Sequence, residues 1–209
     1  MQSIVVNMSL QNRVDPFGEI TASAARGAFM GNRGGRIHRD DRALGARRWA
    51  SRQWICCRLD FKGRQRSVFG AGYTELFFLD EVTALAAGHR PCFECRREDA
   101  NVFAANWERA TGSRLRAPEM DLVLHAERLE GRRKRTHRLP LDALPDGAMI
   151  AREGHAFALR SGRLLRWTPE GYSQTLPRPR ANDAEVLTPP SILAALRAGY
   201  RPHWHQSAD

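Results

Sequence analysis

LDEVTALAAGHRPCFECRR, residues 79–97, holds a helix, a stop, a cysteine pair and the start of a second helix in nineteen positions. Asp80 is a good N-cap, because its short carboxylate accepts from the free amides of a first helical turn. Glu81 to Ala87 then predicts a short helix, and Gly88 supplies the left-handed residue that ends it. Cys92-x-x-Cys95 forms a knuckle directly before a second predicted helix over residues 96–110. Ala100, Phe103, Trp107 and Ala110 recur there at helical spacing as one apolar stripe. Two cysteines at a helix N-terminus suit a metal, since the helix dipole and the unpaired amides stabilise the thiolates that ligate it. Two thiolates make half of a tetrahedral zinc site.

The other half must come from elsewhere, and Cys56-Cys57 is the natural source. Trp54 to Phe61 alternates as a strand, with Ile55, Cys57, Leu59 and Phe61 on one face and Trp54, Cys56, Arg58 and Asp60 on the other. Lys62-Gly63-Arg64 makes a turn, and Arg66 to Phe69 is the expected hairpin partner. A hairpin supplying the first ligands and a helix N-terminus supplying the second pair is a treble-clef-like arrangement. Neighbouring strand residues point to opposite faces, so Cys56 and Cys57 do not easily reach one metal together. Cys57 shares the apolar face, which points it inward. The fourth ligand is then Cys56, His38 or His89.

Upstream, Val14-Asp15-Pro16-Phe17-Gly18 predicts a turn. Met30 to Arg36, MGNRGGR, is a glycine-rich loop without the lysine and hydroxyl residue of a P-loop, which argues against a nucleotide site of that type. Arg42 to Ser51 reads as a short basic helix. Downstream, Met120 to His125 reads as a short strand, and Gly131 to Arg135 as an exposed basic turn. Residues 148–152, 155–160 and 163–167 alternate as a small meander with glycine turns. Leu176 to Asp183 is proline-rich and reads as loop, and Pro190 to Ala198 as a terminal helix. The expected architecture is mixed α+β. A treble-clef-like zinc module over residues 13–130 precedes a small β-rich module with a terminal helix over residues 131–209.

The chain of 209 residues carries a formal net charge of +10, and a basic protein of this kind favours a polyanionic partner. Of its 33 basic residues only Lys62 and Lys134 are lysine, a bias that GC-rich codon usage also produces. Eleven basic and three acidic residues fall between Arg33 and Arg66, so the expected nucleic-acid surface lies in the N-terminal half. Its candidates there are Arg33, Arg36, Arg47, Arg48, Arg64 and Arg66. No run of about 18 apolar residues exists to span a membrane, and the first ten residues lack the basic and apolar regions of a secretory signal. The expectation is a cytoplasmic protein, and cysteines in a reducing compartment favour metal chemistry over disulfides.

Residues 79–97 resemble the metal-binding domain of Ada-type bacterial DNA-alkylation repair proteins. In that family a helix ending in ALAAG runs into an aromatic-Arg-Pro-Cys-x-x-Cys-Arg knuckle. The resemblance implies that Cys92 and Cys95 ligate zinc, that Arg90, Arg96 and Arg97 lie near DNA phosphates, and that the protein belongs to DNA repair. The adjacent Cys56-Cys57 pair departs from the family's spacing, and no Pro-Cys-His-Arg alkyl-acceptor motif occurs. The MGNRGG and YTELFFLDE stretches are similar to bacterial proteins of no assigned activity.

Three functions follow as expectations. The first is a zinc-containing DNA-binding protein linked to repair. The second is a metal-dependent nuclease of the HNH or treble-clef type. His38 and Asp40, inside the most basic stretch, would there bind a second divalent metal and activate water. The third is an interaction module with structural zinc and no nucleic-acid binding.

Overall fold

The computed structural model describes residues 9–64, 67–179 and 183–209. These form a mixed α+β fold of two six-stranded sheets, one small hairpin and four α-helices. The first sheet comprises β1 (Gln11–Val14), β2 (Ile20–Ala22), β3 (Phe29–Asn32), β4 (Ile55–Cys57), β5 (Leu76–Phe78) and β6 (Arg90–Pro91), in the order β2-β1-β5-β3-β4-β6. The expected turn closes β1 onto β2, with Gly18 at φ +80° donating to the Asp15 carbonyl at 2.9 Å. β3 pairs antiparallel with β4 and β5, while β6 lies parallel to β4. This last pairing matters for the site. It sets Pro91 against Cys56, and the Cys92 amide donates to the Cys56 carbonyl at 3.0 Å.

The helix over residues 79–88 is built as its sequence implies. Asp80 Oδ1 accepts from the Thr83 amide at 2.8 Å and its hydroxyl at 2.7 Å, and α1 (Glu81–Ala86) follows. Every residue of α1 is buried. Leu79, Val82 and Ala86 pack on the second sheet, Ala84 and Ala87 on the first, and Leu85 on the other helices. A helix covered on all sides is largely apolar all round, its polar Glu81 and Thr83 being hydrogen-bonded, and its alanines let both sheets approach closely. Gly88 ends it at φ +85°, where a Cβ would meet the Arg128 side chain at 2.6 Å.

α2 (Arg97–Thr111) starts at the knuckle and stops at Gly112, φ +71°. Ala100, Phe103 and Trp107 are its buried stripe, while Ala110, expected in that stripe, is exposed. The second sheet comprises β9 (His137–Pro140), β10 (Met149–Arg152), β11 (His155–Arg160), β12 (Arg163–Thr168), β13 (Gly171–Pro177) and β14 (Asp183–Val186), in the order β13-β12-β11-β10-β14-β9. Both of its faces are covered. Ala156, Ala158 and Leu165 face α1, and Phe157, Leu159 and Leu164 meet Leu141, Leu144 and Leu193. α3 (Ala117–Arg128) leads into a hairpin of β7 (Leu129–Glu130) and β8 (Arg133–Lys134). α4 (Pro190–Arg197) sends Leu193 to the second sheet and Ile192, Ala195 and Leu196 to α2 and α3.

Several local expectations are corrected. Residues 120–125 form no strand; they lie in α3. Pro118 sits in its first turn, Glu119 accepts the Arg116 amide at 2.6 Å, and Met120, Leu124 and Arg128 are buried at i, i+4 and i+8. Arg42 to Ser51 forms no helix. Its backbone turns at Arg42, φ +63°, and is held by Asp41 Oδ1 on the Ala43 amide and by the Arg33 carbonyl on the Ala50 and Ser51 amides. The strand expected from Trp54 to Phe61 is confined to β4, because the chain turns away by Lys62, φ +55°. Ser67 to Phe69 are not its hairpin partner, and Arg66 lies outside the described residues. Leu176 and Asp183 belong to β13 and β14 rather than to a loop.

The boundary expected near residue 131 falls in the β7–β8 hairpin. The segments on either side of it share one core through α1, and carboxylates at the start of α1 bind the distant chain. Tyr172 and the His205 amide donate to Asp80, and Tyr200 and the His203 amide donate to Glu81, at 2.5 to 3.1 Å. Among the described residues no helix is long and apolar enough to cross a membrane.

Candidate metal centre

Three elements bring sulphur together. Cys57 ends β4 on its apolar face, Cys92 follows β6, and Cys95 sits where the knuckle turns into α2, with the Arg96 amide on the Cys92 carbonyl at 3.0 Å. The Sγ atoms of Cys57, Cys92 and Cys95 all lie within 4.8 Å of one another. Their residues are 6 to 8% exposed, behind Met30, Ile55, Phe61, Tyr73 and Phe77. Main-chain amides also turn toward the sulphurs. The Glu94 amide donates to Cys92 Sγ at 3.4 Å, and the amides of Cys95 and Arg58 support Cys92 and Cys95. The Cys57 thiol, donating to Cys92, holds Cys92 far below the ordinary thiol range and is itself pushed up by that bond. Three buried cysteines with amide support can hold a metal ion.

The chain matches no protein-family model, no curated protein and no solved structure.

Cys56, one of the three candidates for the fourth ligand, lies outside the group of Cys57, Cys92 and Cys95. It faces away from Cys57, as strand alternation requires, into Val14, Ile20, Leu76 and Phe78. It is fully buried, burial pushes its thiol up, and its Sγ accepts from Arg96 Nη1 at 3.4 Å. Cys56→Ser is expected to keep the metal and to cost about 1–3 kcal/mol for a hydroxyl in an apolar site. Elemental analysis beside a thermal melt checks this, and loss of metal would put Cys56 in the centre.

The two histidines considered as fourth ligand are also engaged elsewhere. His38 is buried, bonds Thr74 Oγ1 at 2.7 Å and the Gly70 carbonyl at 3.2 Å, and stacks on Phe69 at 4.5 Å. His89 is fully buried against Trp54 and Phe78, with Arg33 Nε 3.4 Å from its Nε2. Burial, then Arg33 and Arg128, keep it neutral. Among the described residues no fourth Cys, His, Asp or Glu joins the group, and residues 1–8, 65–66 and 180–182 contain none of these types.

The His38–Asp40 catalytic pair is not assembled. Both ring nitrogens of His38 are taken inside the fold, whereas the Asp40 side chain is 97% exposed and pairs with Arg36. Neither is placed to share a metal or activate water.

The expected phosphate contacts divide by burial. Arg33, Arg90 and Arg96 are 1 to 3% exposed and serve the fold. Arg33 donates to the carbonyls of Gly18 and Arg48, Arg90 grips Asp121 with two bonds of 2.8 and 2.9 Å, and Arg96 pairs with Glu81 and Asp99. Arg36 and Arg64 are paired with Asp40 and Glu94. Arg48 is half-buried and capped on the Gly45 carbonyl, while Arg47 and Arg97 are exposed. Beside Cys95 opens a cleft of about 660 Å³ whose lining mixes Arg58 and Arg97 with Asp60, Glu94, Glu98 and His203. Its charges nearly balance, so it is no polyanion groove.

Sequence reasoning did not anticipate Asp121, Arg128 and Lys134 as interior partners. Charged residues read as surface by default, and their burial depends on partners far away in the chain.

Proposed function

We propose that the protein is a zinc-containing, DNA-binding protein. Zinc suits three buried thiolates on a helix-bearing knuckle, since soft sulphur ligands favour it over the hard cations. One observation carries the binding half. Two basic segments distant in sequence lie side by side: Arg132 Nη2 donates to the Ala46 carbonyl across 86 residues, and Arg128 Nη2 to the Arg52 carbonyl across 76, each at 2.6 Å. Exposed Arg47 and Arg52 thereby adjoin exposed Arg132 and Arg133. Guanidiniums grouped in this way suit the regularly spaced phosphates of a nucleic acid. The link to repair rests on the resemblance of residues 79–97.

Duplex binding measured against salt tests the reading. Four phosphate contacts give a slope of about −4 in log K against log salt, and each Arg→Ala change among the four reduces it by about 1. An RNA duplex of the same sequence, used as competitor, separates DNA from RNA. Absent or salt-insensitive binding by a folded, metal-loaded chain overturns the reading and leaves an interaction module.

A further inference from the structure

Arg33 and Arg128 both stack on Trp54, their Cζ atoms 3.9 and 4.0 Å from the ring centroid, and both are almost fully buried. With Lys134 and Trp54 they line a cavity of about 30 Å³, whose rim carries Arg48 and Arg132. That volume holds two or three water-sized groups, fewer than the four oxygens of a phosphate, so part of such an anion lies at the open rim beside Arg48 and Arg132.

Buried cations are ordinarily paired with carboxylates. This protein does so elsewhere, at Arg90 with Asp121 and at Arg96 with Glu81. Around the cavity it does not. Among the described residues no carboxylate forms an ion pair with Arg33, Arg128 or Lys134, which bond instead to the carbonyls of Gly18, Arg48, Gly88, Arg52 and Ala86. Arg128 Nε is buried with no hydrogen-bond partner. The acidic groups nearby are weak counterweights. Glu19 lines the cavity but is exposed, and Asp15, in electrostatic reach of Arg33 and Lys134, is pushed up to about 6 by burial. Asp121, which pairs with Arg90, also acts on Arg128, but burial still draws Arg33 and Arg128 down to about 9 and Lys134 to about 7, so the carboxylates offset the positive charge only in part.

We infer that this cavity binds a phosphate group, taken as inorganic phosphate or as the phosphate of an oligonucleotide. Two guanidiniums and an ammonium supply the charge and the several-sided donors that a tetrahedral dianion requires. The inference stands without the DNA reading, since free phosphate alone would fill the site.

The test uses the full, metal-loaded chain, titrated with inorganic phosphate at constant ionic strength and followed by tryptophan fluorescence and thermal melting. The expected result is a saturable fluorescence change and a rise in melting temperature that sodium chloride does not reproduce. Lys134→Met is expected to weaken the response about tenfold, the effect of one charge-assisted hydrogen bond. Arg132→Ala, on the rim, weakens it less and gives the second reading should Lys134→Met not fold. Competition by a 5′-phosphorylated but not a 5′-hydroxyl oligonucleotide assigns the phosphate to a strand end. Equal competition by both assigns it to the backbone, and competition by neither to the free anion. A response that follows ionic strength alone, or is unchanged in both variants, overturns the site, whatever the outcome of duplex binding.

Discussion

Cys57→Ser is expected to abolish metal binding and, with it, the cooperative fold of the chain. Cys57 reaches the centre from the first sheet, whereas Cys92 and Cys95 belong to the knuckle before α2. A metal held by the three would pin the knuckle to β4. The parallel pairing of β4 with β6 joins just two residue pairs, and beside it stand the Cys92 amide on the Cys56 carbonyl and Arg96 on Cys56 Sγ and Glu81. Structural zinc contributes on the order of 10 kcal/mol in small domains, as much as the whole stability of a typical one. The loss should also reach beyond the first sheet, because the second sheet packs on α1 and the tail is held by Asp80 and Glu81. Circular dichroism and a thermal melt check this. A cooperative melt within a few degrees of wild type would show that the cysteines are inert core thiols.

Asp121→Asn is expected to cost about 3–5 kcal/mol, the penalty for leaving one member of a buried ion pair uncompensated. The side chains of Arg90 and Asp121 are 2% and 6% exposed and share two bonds, so the guanidinium has no route to water when the carboxylate goes. For a chain of this size the melting temperature should fall by about 10 °C, with the metal retained. Arg90→Lys should not restore what Arg90→Ala loses, because an ammonium cannot reproduce the two-pronged contact. A loss below about 1 kcal/mol would show that Arg90 is free for other work, including the phosphate contact that the Ada resemblance assigns to it.

Local signals are readable in the sequence, whereas buried charges with distant partners are not. The run from Asp80 to Gly112 reads well because its signals are local: an N-cap, a glycine stop, a knuckle and an apolar stripe at helical spacing. Alternation along β4 likewise separates Cys57 from Cys56. The opposite error at α3 has a single cause. Its buried positions include Asp121 and Arg128, and a pattern of apolar residues cannot register a charged side chain facing the core. Arg33, expected on a nucleic-acid surface from local charge, and Arg90 and Arg96, expected there from the resemblance, are buried for a related reason: their partners lie far away in the chain. The loop over residues 39–53 is shaped by long-range anchors, the Arg33 carbonyl and the Arg132 and Arg128 guanidiniums, which local propensity does not contain.

The most direct test of the account is elemental analysis of the untagged wild-type chain together with X-ray absorption at the zinc edge. About one zinc per chain is expected, bound by three sulphurs at about 2.3 Å and one lighter donor. No metal, or four sulphurs about the zinc, would contradict it, the latter by requiring Cys56 to turn out of the core into the centre.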